Sequence, residues 1–233
     1  MKFIYKHNYS FILKFALFIL LNFLLLNVTI LYPYVCELGG SLMRSYSLKT
    51  FFDSWTPVNI YIMWPYLLCL TYVPISGLFY AFNRRISSIE ILSFYLSIVL
   101  IYLFTYIIYL VFPTTASEVM LTRYESNEHL FINKGMFEHL QELYNASTPF
   151  GDFPSLHVSP LVFMGIFLFK KWRVLFWIFL PLAFFGAIGT FVLKFHTFAG
   201  FMGGAIMGYL GYKYFYEKLL FKKLNVTYMD TDR

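Results

Sequence analysis

Long uninterrupted runs of apolar residues decide what this chain can fold into. A run of about 18 apolar residues is long enough to cross a bilayer as an α-helix. Only 13% of the 233 residues are charged, about half of what a soluble domain normally carries. We therefore predict an all-α, six-span transmembrane bundle that forms one membrane domain, residues 1–233. The predicted spans are about 11–33, 58–81, 88–112, 157–170, 172–193 and 197–216.

The basic residues divide unevenly between the two sides of this predicted bundle. Thirteen of the 18 lysines and arginines fall on the side of both termini, and five on the other. Because short loops rich in Lys and Arg mark the cytoplasmic face, we expect both termini inside and a multi-pass protein. A bacterial inner membrane fits the size of the chain, and a eukaryotic endomembrane is the alternative. His157 and His196 then share the external, periplasmic side.

The longest polar segment, residues 113–156, forms an external loop in this topology. Apolar residues recur in it at helical spacing: Met136, Phe137, Leu140, Leu143 and Tyr144. This pattern predicts an amphipathic helix on the outer leaflet. The alternative is a solvated connector with a single helical turn.

Several ligands and partners are not expected. The net charge of +6 is explained by topology and lipid headgroups, since no basic patch with interleaved aromatic residues indicates nucleic acid. His157 and His196 lack an evident third ligand, so a metal site is not predicted. No cofactor is expected. Cys36 and Cys69 are predicted to lie at different membrane depths, which disfavours a disulfide. The oligomeric state is left open.

Four side chains that suit phosphate chemistry lie at the predicted external boundary: Ser155, His157, Lys194 and His196. Ionisable groups near a membrane usually mark a function. Pro154 suits the first turn of the helix that carries His157, and the free N–H groups of such a helix end attract anions. Lys194 adds a compact positive charge. Alone, each histidine is better explained as an interfacial residue or a satisfied hydrogen-bond partner, and the combination with Ser155 and Lys194 on one face favours a functional site.

The run Phe153-Pro154-Ser155-Leu156-His157 resembles the Pro-Ser-x-His motif of the type-2 phosphatidic acid phosphatase superfamily. Lys194 two residues before His196, and Gly203-Gly204 after it, make the chain similar to the lipid phosphotransferase branch typified by inositolphosphoryl-ceramide synthases. The resemblance covers about residues 90–216, which it implies are a phosphatase-like core.

The resemblance implies a phosphohistidine mechanism. His196 would attack a lipid phosphate, and His157 would protonate the departing oxygen and then activate water or a hydroxyl. Ser155, Lys194 and Thr190 would bind the phosphate, with Arg123 as a further candidate. Imidazole suits both roles because it titrates near neutrality.

The chain departs from the family pattern at three places. Gly200 stands where the family has an aspartate that orients the nucleophilic histidine. Gly189-Thr190 replaces a Ser-Arg pair, and the lysine and Arg-Pro motif after Phe112-Pro113 is missing. Asp152 can reach one imidazole, but the sequence does not decide this.

Three functions therefore compete. The first is a metal-independent lipid phosphatase or phosphotransferase acting at the external leaflet. The second is a catalytically silent member of the same fold that binds lipid headgroups or a membrane partner, as the missing Asp and Arg suggest. A small-solute transporter has the least support, because no span carries a buried charge beyond the boundary residues Lys14 and Glu90.

Overall fold

The structure, a computed structural model, describes residues 2–70, 75, 78, 87–116, 142 and 148–221. Helices dominate these residues, as predicted, and two short strands accompany them. In chain order the elements are α1 (Lys2–Ile30), α2 (Tyr32–Leu42), β1 (Tyr46–Ser47), α3 (Phe51–Trp55), a 3₁₀-helix (Ile60–Ile62), α4 (Met63–Leu70), α5 (Ser88–Val111), β2 (Thr114–Thr115), α6 (Val158–Lys171), α7 (Arg173–Val192), α8 (Phe198–Leu210) and a π-helix (Gly211–Phe221). The residues of the predicted loop helix between 136 and 144 lie outside the described residues, apart from Glu142.

Among the described residues, three helical segments are long and apolar enough to cross a membrane. They are Ile12–Leu42, Ser88–Val111 and Arg173–Val192. An integral membrane protein is therefore supported, whereas the predicted count of six spans is not confirmed. The shortest predicted span forms α6, which has 14 residues and a length of only about 21 Å at 1.5 Å per residue.

The bundle is built around α5 and α6. Helix α5 packs against α1, α2 and the π-helix, while α6 packs against α7 and α8, and α7 in turn packs against α4. Aromatic rings fill the space between α5, α6 and the π-helix: Phe94, Phe163, Phe167 and Tyr216 are almost fully buried. One face of α1 packs into this core through Leu21, Leu25 and Val28, whereas its other face points outward, as with Leu20 and Phe23 at 61% and 64% exposure. Such an exposed apolar surface suits contact with lipid.

Two ion pairs lie at one end of the bundle. Glu90 receives a hydrogen bond from Lys171 at 2.6 Å and accepts from the Ser87 N–H at the start of α5. Lys170 pairs with Glu217 at 2.8 Å. Glu90 is thus explained by helix capping and ion pairing, which removes one of the two charges considered for a transporter. The opposite end of the bundle holds β1, β2 and the loops that precede α6 and α8.

Candidate active site

The two histidines named from the sequence meet at the polar end of the bundle. His157 Nδ1 lies 3.0 Å from His196 Nε2, and the ring centroids are 5.3 Å apart. His196 is 2% exposed, whereas His157 is partly exposed. One side of the pair is therefore embedded in protein while the other is open to a ligand.

A tight turn between α7 and α8 positions His196. The Thr190 carbonyl accepts hydrogen bonds from the N–H groups of both Phe195 and His196, at 3.0 and 3.1 Å. Lys194 adopts a left-handed backbone conformation (φ 60°), which lets the chain reverse within this short loop. Helix α8 then begins with Thr197 as its N-cap, whose hydroxyl accepts from the Gly200 N–H at 3.1 Å.

Ser155 links the two histidine-bearing segments. Its N–H donates to the Gly200 carbonyl at 3.0 Å, and its hydroxyl oxygen accepts from the Val158 N–H at 3.3 Å. The expectation that Ser155 sits beside the free N–H groups of this helix is met. The expectation for Pro154 was wrong: α6 begins only at Val158, with His157 as N-cap, because Ser155 and Leu156 form the turn that delivers His157.

The partners of His196 determine where its protons lie. Its Nδ1 is 2.9 Å from the Asp152 carbonyl oxygen. A carbonyl can only accept, so Nδ1 carries the proton of this hydrogen bond. In a neutral imidazole, Nε2 then has the lone pair, and His157 Nδ1 is the donor between the two rings. His196 thus presents a nucleophilic nitrogen towards a proton-carrying neighbour.

Aromatic rings enclose His157. Tyr32 and Tyr66 approach its imidazole edge to face, with centroids 6.4 and 5.8 Å away. Burial, and secondly the charge of His196, lower the pKa of His157 from 6.5 to about 3. Burial therefore favours the neutral form of the His157 imidazole over the charged form.

Asp152 occupies the space beside Gly200. Its Oδ1 accepts from the Thr197 N–H at 2.7 Å and lies 3.5 Å from His196 Nδ1, while Oδ2 accepts from the Thr197 hydroxyl. A Cβ at position 200 would overlap both the carbonyl oxygen and Oδ1 of Asp152. The position of Asp152 therefore requires glycine at residue 200.

Sequence reasoning missed Asp53, which joins the site from α3. Its Oδ1 accepts from the Phe198 N–H at 2.8 Å, at the start of α8, and its Oδ2 accepts from the Thr50 N–H at 2.6 Å. The spacing Thr50-x-x-Asp53 is a capping pattern, and it was the available signal. The Lys194 ammonium donates to the Asp53 carbonyl and lies 5.4 Å from the Phe191 ring centroid. A phosphate at Lys194 would compete with this contact.

The other predicted phosphate ligands are placed differently. Thr190 is fully buried and its hydroxyl donates to the Ala187 carbonyl at 2.7 Å, so the contacts of Thr190 shape the His196 turn. Arg123 lies outside the described residues. Within the described part of the chain, no three His, Cys, Asp or Glu side chains converge on a metal site.

Comparison with known proteins identifies the family of this chain. The family model described as the PAP2 superfamily matches residues 38–213. No curated protein and no solved structure matches significantly. The matched region includes the paired histidines, Ser155, Lys194 and the segment that carries Asp53, and it covers well over half of the chain. We conclude that this chain belongs to the PAP2 superfamily, whose members are generally phosphatases.

Proposed function

We propose that this protein is a membrane lipid-phosphate phosphohydrolase or phosphotransferase that works through a phosphohistidine on His196. The observation that carries the proposal is the 3.0 Å contact between His196 Nε2 and His157 Nδ1, with Nδ1 of His196 fixed on the Asp152 carbonyl. This arrangement supports one nitrogen as nucleophile and the neighbouring imidazole as proton carrier.

The proposed reaction has two steps. In the first, the lone pair of His196 Nε2 attacks phosphorus, the bond from phosphorus to the leaving oxygen breaks, and His157 protonates that oxygen. In the second, His157 takes the proton of water or an acceptor hydroxyl, whose oxygen attacks phosphorus and breaks the P–N bond. An anionic phosphoryl group beside His157 raises its pKa, which supplies the protonated form that the first step needs.

Phosphate oxygens would be held around this pair by groups at the start of α6. The hydroxyl of the buried Ser155 accepts from the Val158 N–H, and its own proton would be donated to a phosphate oxygen that enters beside His157. Lys194, Thr190 and Arg123 remain proposed ligands from the family resemblance, as does the phosphatase-like core of residues 90–216. Asp53, which precedes that core in the chain, also belongs to the site because its carboxylate accepts from the Phe198 N–H. The lipid phosphotransferase branch remains the finer proposal.

The distribution of charge supports an external site. Lys170, Lys171 and Glu90 lie at one end of α6 and α5, while His157 begins α6 at the other end. If the lysine-rich end is cytoplasmic, the histidine pair faces the external leaflet. We propose that the protein lies in a bacterial inner membrane in this orientation, with both termini in the cytoplasm.

An apolar groove beside the site supports a lipid substrate. Its volume is about 440 Å³, and apolar residues of α6, α7 and α8 line it. Along α6 it runs from Val158 to Phe169, a distance of about 16 Å at 1.5 Å per residue. Val158 directly follows His157, so an acyl or prenyl chain in the groove would bring its phosphate to the histidine pair.

Filling this groove should discriminate between substrates by chain length. A Cβ at Gly165 would meet open space, so Gly165→Leu can place its side chain in the groove without a backbone clash. We expect KM for a long-chain lipid phosphate to rise roughly tenfold, since the loss of about two buried methylenes costs about 1.6 kcal/mol. Hydrolysis of a water-soluble aryl phosphate should not change.

The matched control for this variant is Ile178→Phe, which adds bulk at a side chain of α7 that is 64% exposed and outside the groove. An unchanged KM for the long-chain lipid phosphate in Gly165→Leu, as in Ile178→Phe, would exclude the groove as the chain-binding site.

The proposed function is tested with the protein purified in detergent. We expect phosphate release from phosphatidate or a polyprenyl diphosphate, which persists in chelator, and a phosphoenzyme that is labile to acid and stable to base. Such a phosphoenzyme is the signature of phosphohistidine. Adding a lipid with a free hydroxyl separates the two reactions: a transferase converts it to a phosphorylated lipid, and a hydrolase does not.

The contact of Lys194 with the Asp53 carbonyl favours one alternative, a catalytically silent member that binds lipid headgroups or a membrane partner. This alternative predicts saturable binding of lipid phosphate without turnover and without a phosphoenzyme. Turnover above the level of a His157→Ala variant would exclude it.

A further inference from the structure

We propose that Asp152 is the positioning carboxylate for His196, taking the place of the aspartate that Gly200 lacks. The inference rests on the proposed function and names a residue that acts through the nucleophile. In the family pattern, the carboxylate follows the histidine by four residues on the same helix. Here it comes from the loop that precedes α6, on the other side of the histidine.

The shape of the site carries this assignment. A side chain at position 200 would begin where the carboxylate of Asp152 now lies, because its Cβ would overlap Oδ1 and the carbonyl oxygen of that residue. The carboxylate is 1% exposed and lies 3.5 Å from His196 Nδ1. A carboxylate can thus reach this position either from residue 200 or from residue 152. When Asp152 supplies it, residue 200 must be glycine.

Besides the hydrogen bonds from Thr197 at the start of α8, backbone contacts with Thr114 hold Asp152 in this position. The Thr114 carbonyl accepts from the Gly151 N–H at 2.9 Å, and the Thr114 hydroxyl accepts from the Phe153 N–H at 2.8 Å. Gly151 has φ 78°, a conformation that suits glycine, and it packs against Cys36. The segment around Asp152 is therefore fixed on both sides of the carboxylate.

The backbone carbonyl oxygen and the side-chain carboxylate of Asp152 act on His196 in different ways. The carbonyl oxygen selects the Nδ1–H tautomer of His196, as the 2.9 Å contact requires. The carboxylate lies beside the positive charge that the imidazole acquires when Nε2 gives its lone pair to phosphorus. Stabilisation of that charge acts in the transition state, so it should appear in kcat.

Asp152→Asn isolates the charge. The amide oxygen keeps an acceptor for the Thr197 N–H, and the NH₂ can donate to the Thr197 hydroxyl oxygen, although the hydroxyl proton then loses Oδ2 as its acceptor. We expect kcat to fall roughly 10²-fold, with KM for lipid phosphate within about threefold of the original value. A melting temperature measured in detergent separates this loss from unfolding, which would lower the amount of active protein instead.

The control is Glu90→Gln, which removes a hydrogen-bonded carboxylate at the opposite end of the bundle and should leave kcat unchanged. If Asp152→Asn does not fold, Thr197→Val removes the hydroxyl that donates to Oδ2 and should lower kcat roughly tenfold, while Thr197→Ser should restore it.

The outcomes separate the two proposals. Turnover and phosphoenzyme in the unmodified protein, together with an unchanged kcat in Asp152→Asn, overturn the role of Asp152 alone. No turnover and no phosphoenzyme in the unmodified protein overturn the proposed function, and the positioning role with it.

Discussion

Replacing His196 by glutamine is expected to abolish phosphoenzyme formation and to lower kcat by at least about 10⁴-fold, because Nε2 is the proposed nucleophile and an amide cannot replace its lone pair. The measurement is phosphate release from a long-chain lipid phosphate, followed by trapping of acid-labile, protein-bound phosphate. His7→Gln, near the start of α1, is the matched histidine control and should behave as the unmodified protein does.

The partner histidine should respond differently. His157→Gln removes the proton carrier, so hydrolysis of a lipid phosphate should fall while an aryl phosphate with a good leaving group is affected much less in the first step. Phosphoenzyme should then accumulate, since His157 also activates the acceptor. Phosphorylation that persists in His196→Gln would refute the assignment of the nucleophile.

Gly200→Asp, which restores the family's aspartate at position 200, is expected to inactivate the protein. The family pattern alone would predict the opposite, a gain of activity. Any Cβ there would overlap the backbone and side chain of Asp152, so even Gly200→Ala should displace the segment that carries it. Overpacking of this kind costs about 1–3 kcal/mol. A displacement near 1 Å at the catalytic groups can lower kcat about 10²-fold.

The measurements are a melting temperature in detergent and kcat for a lipid phosphate. Gly165→Ala is the control, because a Cβ at that glycine meets nothing within 4 Å. Full activity of Gly200→Asp would show that the overlap is relieved by a small shift and that Asp152 does not need the space.

The sequence predicted the histidine pair because the polar-to-apolar boundaries at residues 157 and 196 put both residues at helix ends. The turn from α7 into α8 follows those boundaries directly, whereas the helix after His157 begins later than the position of Pro154 predicted. Ser155 was placed correctly for the same reason, since it lies within one turn of His157. These predictions depend on local order along the chain, which a single sequence reveals.

Contacts between distant segments were beyond such reasoning. Asp53 and Phe198 are 145 residues apart, and Asp152 and Thr197 are 45 apart. Gly200 looked like a missing catalytic group because the residue that fills its space comes from another loop. The count of six spans was also not confirmed. Helix α6 is short, with 14 residues, and three helical segments among the described residues are long and apolar enough to cross a membrane.

The docking of α3 has a consequence for how the protein can be divided. The acceptor of the Lys194 ammonium and the carboxylate on the first N–H of α8 both belong to Asp53. A fragment made only of the histidine-bearing helices would keep Ser155, His157, Lys194 and His196, yet it would lose this acceptor and the packing that keeps Lys194 at 3% exposure in the whole chain. The N-terminal third of the chain therefore supports the turn that carries His196, and the family motif does not mark out the smallest part of the chain that can hold this site together.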